Sequence, residues 1–233
     1  MKILVKFPSR QRPKQFLTAL AKAINNQTTE NVQYLVSYDL NDLTFNSQLI
    51  ELVESKFDNV KLVGGNSTGK IHACNRDLAT YKGEWDIVVL MSDDMICQVK
   101  GWDGILIQEM KDNFPDTDGV LWHNDGFTQD TLNTMCILGK AYYKRFGYIY
   151  HPSYQSLWSD NQFMEVATIL NRQKYFPEVL FKHVHPANSN EAINDSLYLK
   201  NDSLYLKDKK TYEKQKSVNF SLSNEYIQTH KRV

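Results

Sequence analysis

Apolar runs of β type alternate with segments of helical periodicity through the first 91 residues, and this alternation constrains the fold more than any other feature. Residues 3–7 make the first run, which Pro8 is expected to stop. Pro13 then stands where a helix can begin, and Phe16, Leu17, Leu20, Ala23 and Ile24 follow at helical spacing. Runs at 32–38, 60–63 and 87–91 read as three further strands. Leu49, Ile50, Leu52, Val53 and Phe57 mark a second helix, and residues 71–81 a third. Strand–helix alternation with short connections predicts an α/β fold, with a central, mostly parallel sheet flanked by helices. The run at 87–91 lacks polar alternation, as expected of a strand covered on both faces. Ligands of such sheets bind beyond the carboxyl ends of the strands. The loops at 8–13, 39–42, 64–69 and 92–94 should therefore meet at one cleft.

Beyond Asp94 the pattern loosens. Residues 101–114 read as a helix, 119–122 and 135–138 as strands, and 161–170 as a helix with Asp160 near its start. After His185-Pro186 the chain turns polar. Asn194-Asp-Ser-Leu-Tyr-Leu-Lys200 is then repeated without change at 201–207. Two copies are too few for a solenoid or coiled coil, and an in-frame duplication tolerated in a surface loop is the plain reading. A lid or acceptor-contacting arm is the functional alternative. Residues 209–226 predict a charged surface helix packing back on the domain. The expected division is a catalytic domain over 1–190, with halves 1–98 and 99–190, and a polar, helical C-terminal extension over 191–233.

Lys plus Arg and Asp plus Glu number 27 each, so no global charge draws the chain to nucleic acid or an anionic membrane. Cys74, Cys97 and Cys136 form no CxxC pair, which argues against a zinc ribbon or disulfide framework and for a reducing compartment. No apolar run reaches membrane-spanning length, and Lys6 breaks the N-terminal run too early for a signal peptide. A soluble, cytoplasmic protein is expected.

The chemistry centres on Ser92-Asp93-Asp94, just after the apolar run. Adjacent carboxylates repel, and a divalent cation offsets that cost. Carboxylate oxygens suit Mg²⁺ or Mn²⁺, which commonly bridge one or two such groups to substrate phosphates. An Asx-type turn is the alternative. Lys70 opens a helix after a Gly-containing loop, as a phosphate-binding residue would. Gly64-Gly-Asn-Ser-Thr-Gly-Lys70 is nevertheless no Walker A loop, because Ile71 replaces the hydroxyl residue that would hold Mg²⁺.

The order of these motifs resembles the GT-A fold glycosyltransferases, a Rossmann-like nucleotide-diphospho-sugar transferase fold, and especially the inverting family 2. Phe7-Pro-Ser-Arg-Gln-Arg-Pro13 matches the loop after the first strand. Val36-Ser-Tyr-Asp39 matches the strand ending in a base-binding acid. Gly69-Lys-Ile-His-Ala-Cys-Asn-Arg76 matches the Gly-containing loop and helix, and Leu90-Met-Ser-Asp-Asp94 the strand with the DxD motif. Here the motif's first acid is Ser92, and the family's Ala-Arg-Asn order appears as Ala73-Cys-Asn-Arg76.

The resemblance implies a transfer from a nucleotide-sugar donor, expected to be a UDP-sugar, to a hydroxyl of a glycan or other acceptor, helped by Mn²⁺ or Mg²⁺. Pro8, Ser9, Arg10, Asp39, Lys70, Asn75, Arg76, Ser92 and Asp93 would line the donor, and Asp94 would bind the metal. The base that an inverting transfer needs matches Asp160 in Trp158-Ser-Asp-Asn161, with Asp125 second or shaping the acceptor site. For Asp160 a helix N-cap is the alternative. His183 and His185 point to the same face of a strand, and the resemblance implies His185 as a metal ligand with His183 behind it. Trp122, Phe127, Tyr154 and Trp158 are candidates to stack on sugar, against ordinary core packing. A nucleotidyltransferase would carry a Gly-rich loop after its first strand, and 8–13 contains no Gly. A catalytically silent nucleotide-sugar-binding module is the remaining alternative.

Overall fold

A computed structural model describes residues 1–184, 199 and 203–223. Seven strands form one sheet in the order β3-β2-β1-β4-β7-β6-β8. These are β1 (Ile3–Ser9), β2 (Val32–Asp39), β3 (Val60–Gly65), β4 (Ile87–Leu90), β6 (Val120–His123), β7 (Ile137–Gly139) and β8 (Gln173–Phe176). β1 pairs in parallel with both β2 and β4, while β7 runs antiparallel between β4 and β6. The strand order therefore reverses at β1 and β4, and the crevice beyond their carboxyl ends is where such a sheet binds ligands. A separate two-stranded ribbon, β5 (Met95–Cys97) with β9 (Phe181–His183), stands beside that crevice.

Period-two alternation sorts the apolar side chains onto the two faces of the sheet. Ile3, Val5 and Phe7 join Ile87 and Val89 on one face, under α1 (Pro13–Asn26) and α4 (Trp102–Asn113). Leu4, Leu35 and Val88 face the other way, under α3 (Lys70–Asn75), α5 (Lys140–Phe146) and α6 (Ser159–Ile169). Helix α2 (Ser47–Lys56) buries Leu49 and Val53 against the first of these cores. Asn46 caps it by accepting from Leu49 N at 3.0 Å. The indole of the fully buried Trp102 donates to Ala23 O at 3.0 Å, which ties α4 to α1.

Three expectations are corrected. Pro8 does not stop β1, which continues to Ser9. β4 pairs with β1 only as far as Lys6, so the missing proline N–H lies on the side where no ladder bond is needed. The helix expected over 71–81 ends at Asn75. Arg76 is extended, Asp77 adopts a left-handed φ of 70°, and the Asn75 side chain accepts from Ile149 N and Tyr150 N at 3.0 Å each. The expected C-terminal helix begins earlier, as α7 (Tyr205–Ser217), and is followed by a single 3-10 turn at Asn219–Ser221. It does pack back on the domain, along α6. His185, residues 194–198 and 200–202 of the tandem repeat, and 224–226 lie outside the described residues.

Candidate active site

The loops after β1, β2 and β3 are tied to one another by side chains. Arg10, half-buried, pairs with Asp39 at the end of β2 and donates to Asn41 Oδ1 at 2.8 Å. The other Asp39 oxygen accepts from Ser67 N at 2.9 Å, in the loop after β3. Burial alone would raise the Asp39 pKa, but Ser67 and Arg10 outweigh it and hold it below the ordinary value. Asp42 accepts from Gln11 N at 2.7 Å. Ser9 is buried and Pro8 half-buried beside this junction. Arg12, also buried, reaches across to Asp93 at 3.3 Å. The strand-one loop is thus linked to the acid pair after β4.

That pair diverges at once. Asp93 faces Arg12, whereas Asp94 receives the Ser92 hydroxyl and turns towards the ribbon. The chain turns through Met95 N donating to Ser92 O at 3.1 Å, and β5 then pairs Met95 with His183 of β9. Val184 N donates to Asp94 O at 2.8 Å. These backbone bonds bring His183 Nε2 to 3.7 Å from Asp94 Oδ2. The other ring nitrogen, Nδ1, lies 3.2 Å from Asp125 Oδ2. Burial opposes charge on this imidazole, but its bonds to Asp125 and Asp94 prevail and hold its pKa up at about 9. Asp94 is depressed in return: desolvation pushes it up, and His183 and Ser92 more than offset that.

Asp125 sits at the centre of its own loop. Its Oδ1 accepts from Phe127 N at 2.8 Å and Thr128 N at 2.7 Å. Its Oδ2 accepts from the Thr134 hydroxyl at 2.6 Å. With these donors and His183, its pKa is lowered in spite of burial. A carboxylate so fully engaged shapes a loop and orients His183; it is not placed as a free base.

Asp160 differs. It lies in the first turn of α6, and the cap position belongs to Trp158, so it is not the N-cap. Its Oδ1 accepts from Asn161 N at 2.9 Å. Burial raises its pKa, and the charges of Lys70 and His183 only partly offset that. Lys70, exposed at the start of α3, also acts on Asp94. Asp94, Asp160, His183 and Lys70 therefore share one electrostatic environment at the carboxyl edge of the sheet. Asn75 and Arg76 face inward. Asn75 Nδ2 donates to Tyr150 O at 2.6 Å, and Arg76 Nη2 donates to Tyr38 O at 2.6 Å and Val63 O at 3.2 Å. Both brace the backbone behind the cleft.

Among the described residues, no group of three or more His, Cys, Asp or Glu side chains is arranged to hold a metal ion. Asp94 and His183 offer one hard carboxylate and one imidazole side by side, a pair that would suit an ion completed by phosphate oxygens once the ion displaces the Nε2 proton. Of the aromatics, Trp122 packs edge-on against Tyr175, the Tyr154 hydroxyl donates to Gln162 at 2.7 Å, and Trp158 packs on Tyr205 and Tyr212. Phe127 lies edge-on to the His183 ring.

No family model matches the sequence, and no curated protein matches it. Solved structures do. The mannosyltransferase PcManGT from Pyrobaculum calidifontis, in complex with GDP-Man and Mn²⁺, gives a TM-score of 0.63 at 14% identity, over 81% of this chain and 58% of that one. S. aureus TarS 1–349 in complex with UDP-GlcNAc gives 0.62 at 18% identity, over 85% and 61%. The fold is GT-A.

This chain spans less than two thirds of the length of those structures. At the strand ends of its GT-A sheet Arg10 meets Asp39, Arg12 meets Asp93 and Asp94 meets His183, whereas Asn75 and Arg76 turn to the backbone behind. What sequence reasoning missed is the short strands β5 and β8 and the helix α5, all too short for a periodicity to register. It also missed the Arg12–Asp93 pair and the contacts of Asp208 on α7, which no local pattern announces. Among the described residues, no helix is long and apolar enough to cross a membrane.

Proposed function

We propose that this chain is a glycosyltransferase that moves a sugar from a nucleotide-diphosphate donor, a UDP-sugar, to an acceptor hydroxyl with inversion at the anomeric carbon. The observation that carries the reading is the grouping of Asp94, His183, Lys70 and Asp160 beyond the carboxyl ends of β1 and β4. The GT-A fold supports it, as do nucleotide-sugar complexes of two structures that share the fold.

Each group has a part in the reaction. The half-buried Asp160 carboxylate, made more basic by its surroundings, takes the acceptor proton. The freed oxygen attacks the anomeric carbon from the face opposite the nucleotide. Lys70 offsets charge that develops on the departing diphosphate. Asp94 and His183 would hold Mn²⁺ or Mg²⁺, which supplies further charge compensation at the diphosphate. Asp39, with Arg10, Pro8 and Ser9, forms the nucleoside end of the cleft, and Ser92 and Asp93 lie between the two ends. Asn75 and Arg76 act from behind by fixing the strand ends. The three free, buried cysteines are consistent with a cytoplasmic site of action.

The test is a panel of nucleotide sugars with Mn²⁺, read as released nucleoside diphosphate. Asp94→Ala is expected to abolish metal-dependent donor binding. Asp160→Asn is expected to keep donor binding and lose transfer by at least about a hundredfold. Tight binding without turnover of any donor would instead identify a silent nucleotide-sugar-binding module, and full activity of Asp160→Asn would remove it as the base.

A further inference from the structure

The C-terminal helix α7 carries a carboxylate with no solvent exposure, Asp208. A buried acid needs donors, and these come from a single stretch of a distant loop. Asp208 Oδ1 accepts from Gln155 N at 3.1 Å, and Oδ2 accepts from Ser156 N and Leu157 N at 2.8 Å each. Three consecutive backbone N–H groups thus converge on one side chain some fifty residues later in sequence. The next residue, Trp158, is held at a left-handed φ of 63°, a conformation that a bulky side chain does not adopt without support. The support again comes from α7. Tyr205 and Tyr212 pack on the Trp158 ring at 5.5 and 5.1 Å, and Lys209 Nζ lies 5.8 Å from its centroid. Further along, the Tyr212 hydroxyl bonds to Glu165, and Lys216 pairs with the same residue at 2.8 Å. α7 therefore grips α6 from its entry turn to its middle.

The turn it grips is also in contact with the other side of the cleft. Gln155 O accepts from Ile71 N at 3.3 Å, at the start of α3. Gly69 lies so close that a Cβ there would stand 3.1 Å from the same oxygen. Residues 155–158 thus sit between Lys70 on one side and Asp160 on the other.

We infer that Asp208 is a positioning residue for transfer: by fixing the turn at 155–158 it sets the place of Asp160 and the approach of Lys70. The inference rests on the reading of Asp160 as the base. α7 is accordingly a working part of the site, though Asp208 itself contacts no substrate.

The test uses the whole chain and four variants: Asp208→Ala, Asp208→Asn, Asp160→Asn and the double variant Asp160→Asn with Asp208→Ala. Asp208→Ala is expected to lower kcat at least about tenfold while the donor KM stays within about twofold, because a misplaced base costs turnover and not binding. Asp208→Asn keeps one acceptor oxygen and should recover part of that loss. The double variant should be no slower than Asp160→Asn alone, because a residue acting through Asp160 has nothing left to position. A folded Asp208→Ala with kcat within twofold of the parent overturns the inference, as does a double variant whose losses multiply. If Asp208→Ala does not fold, Asp208→Asn decides by amide hydrogen exchange. Residues 155–157 should exchange at least about tenfold faster with β1 and β4 unchanged, and equal protection counts against the inference. Should Asp160→Asn remain active, the base assignment alone fails, and the exchange result still reports whether Asp208 holds the turn.

Discussion

His183 and Asp125 are joined twice: the imidazole Nδ1 meets the Asp125 carboxylate at 3.2 Å, and His183 N donates to Asp125 O at 2.8 Å. The first contact holds Nδ1 on the carboxylate and leaves Nε2 facing Asp94. The second fixes the strand that carries the ring. Asp125→Ala removes the partner of an imidazole and orphans the N–H groups of Phe127 and Thr128. The expected cost is about 2–4 kcal/mol of folding stability, measured by urea unfolding, with Mn²⁺ affinity in the presence of nucleoside diphosphate reduced about 10–100-fold, measured by titration calorimetry.

Lys6 is fully buried in β1, against Ser37 of β2, and Cys74, Arg76 and Asp77 act on it from α3 and the turn after it. Burial is the largest influence and lowers its pKa from 10.5 to about 8. Below about pH 8 the ammonium is charged in the folded and unfolded chain alike, and the burial penalty is fully present. Between pH 8 and 10.5 the unfolded chain binds a proton that the folded chain has released, so stability rises with pH. Lys6→Met should remove a rise of up to roughly 3 kcal/mol over that window. Urea unfolding of both proteins at pH 7.5, 9 and 10.5 measures the difference, and parallel curves would show that Lys6 does not titrate there.

The Asp39–Arg10 pair lies at the end of the cleft proposed for the nucleoside. Asp39→Ala leaves Arg10 and Ser67 N without their shared partner and removes the acceptor proposed for the base. Affinity for UDP is expected to fall about tenfold, or ~1.4 kcal/mol, by calorimetry. An unchanged affinity would place the nucleobase elsewhere.

Gly65 ends β3 against the guanidinium of Arg76, and a Cβ there would collide with Nη1. Gly65→Ala must therefore displace Arg76 from the carbonyls of Tyr38 and Val63. The expected destabilisation is about 1–3 kcal/mol, read as a lowered Tm, and Arg76→Lys should produce a loss of similar size.

The first half of the fold was legible because its elements are long or strongly apolar. The run at 87–91 lies in the sheet as β4, and the helical spacing from Phe16 to Ile24 is the buried face of α1. The second half was less so. The three-residue β5 carries no period, and what its pairing with β9 accomplishes, the meeting of Asp94 and His183, depends on antiparallel contact between segments more than eighty residues apart. Side-chain identity was a poor guide to the work done at 75–76, where Asn75 and Arg76 resemble ligand contacts in sequence but bond to backbone in space. Asp208 was invisible for the opposite reason. It sits in a lysine-rich helix whose pattern reads as plain surface, and only the fold shows the three N–H groups it serves.

The clasp between Asp208 and residues 155–157 also has a bearing on the order in which the molecule is made. A ribosome delivers the sheet, α3 and α6 before α7, and the early elements can collapse while α7 is still inside the exit tunnel. During that interval the strained turn at Trp158 lacks the carboxylate and the ring packing that α7 supplies. Under the function proposed above, a chain released as far as α6 holds the donor-side loops before it holds the clasp that places Asp160.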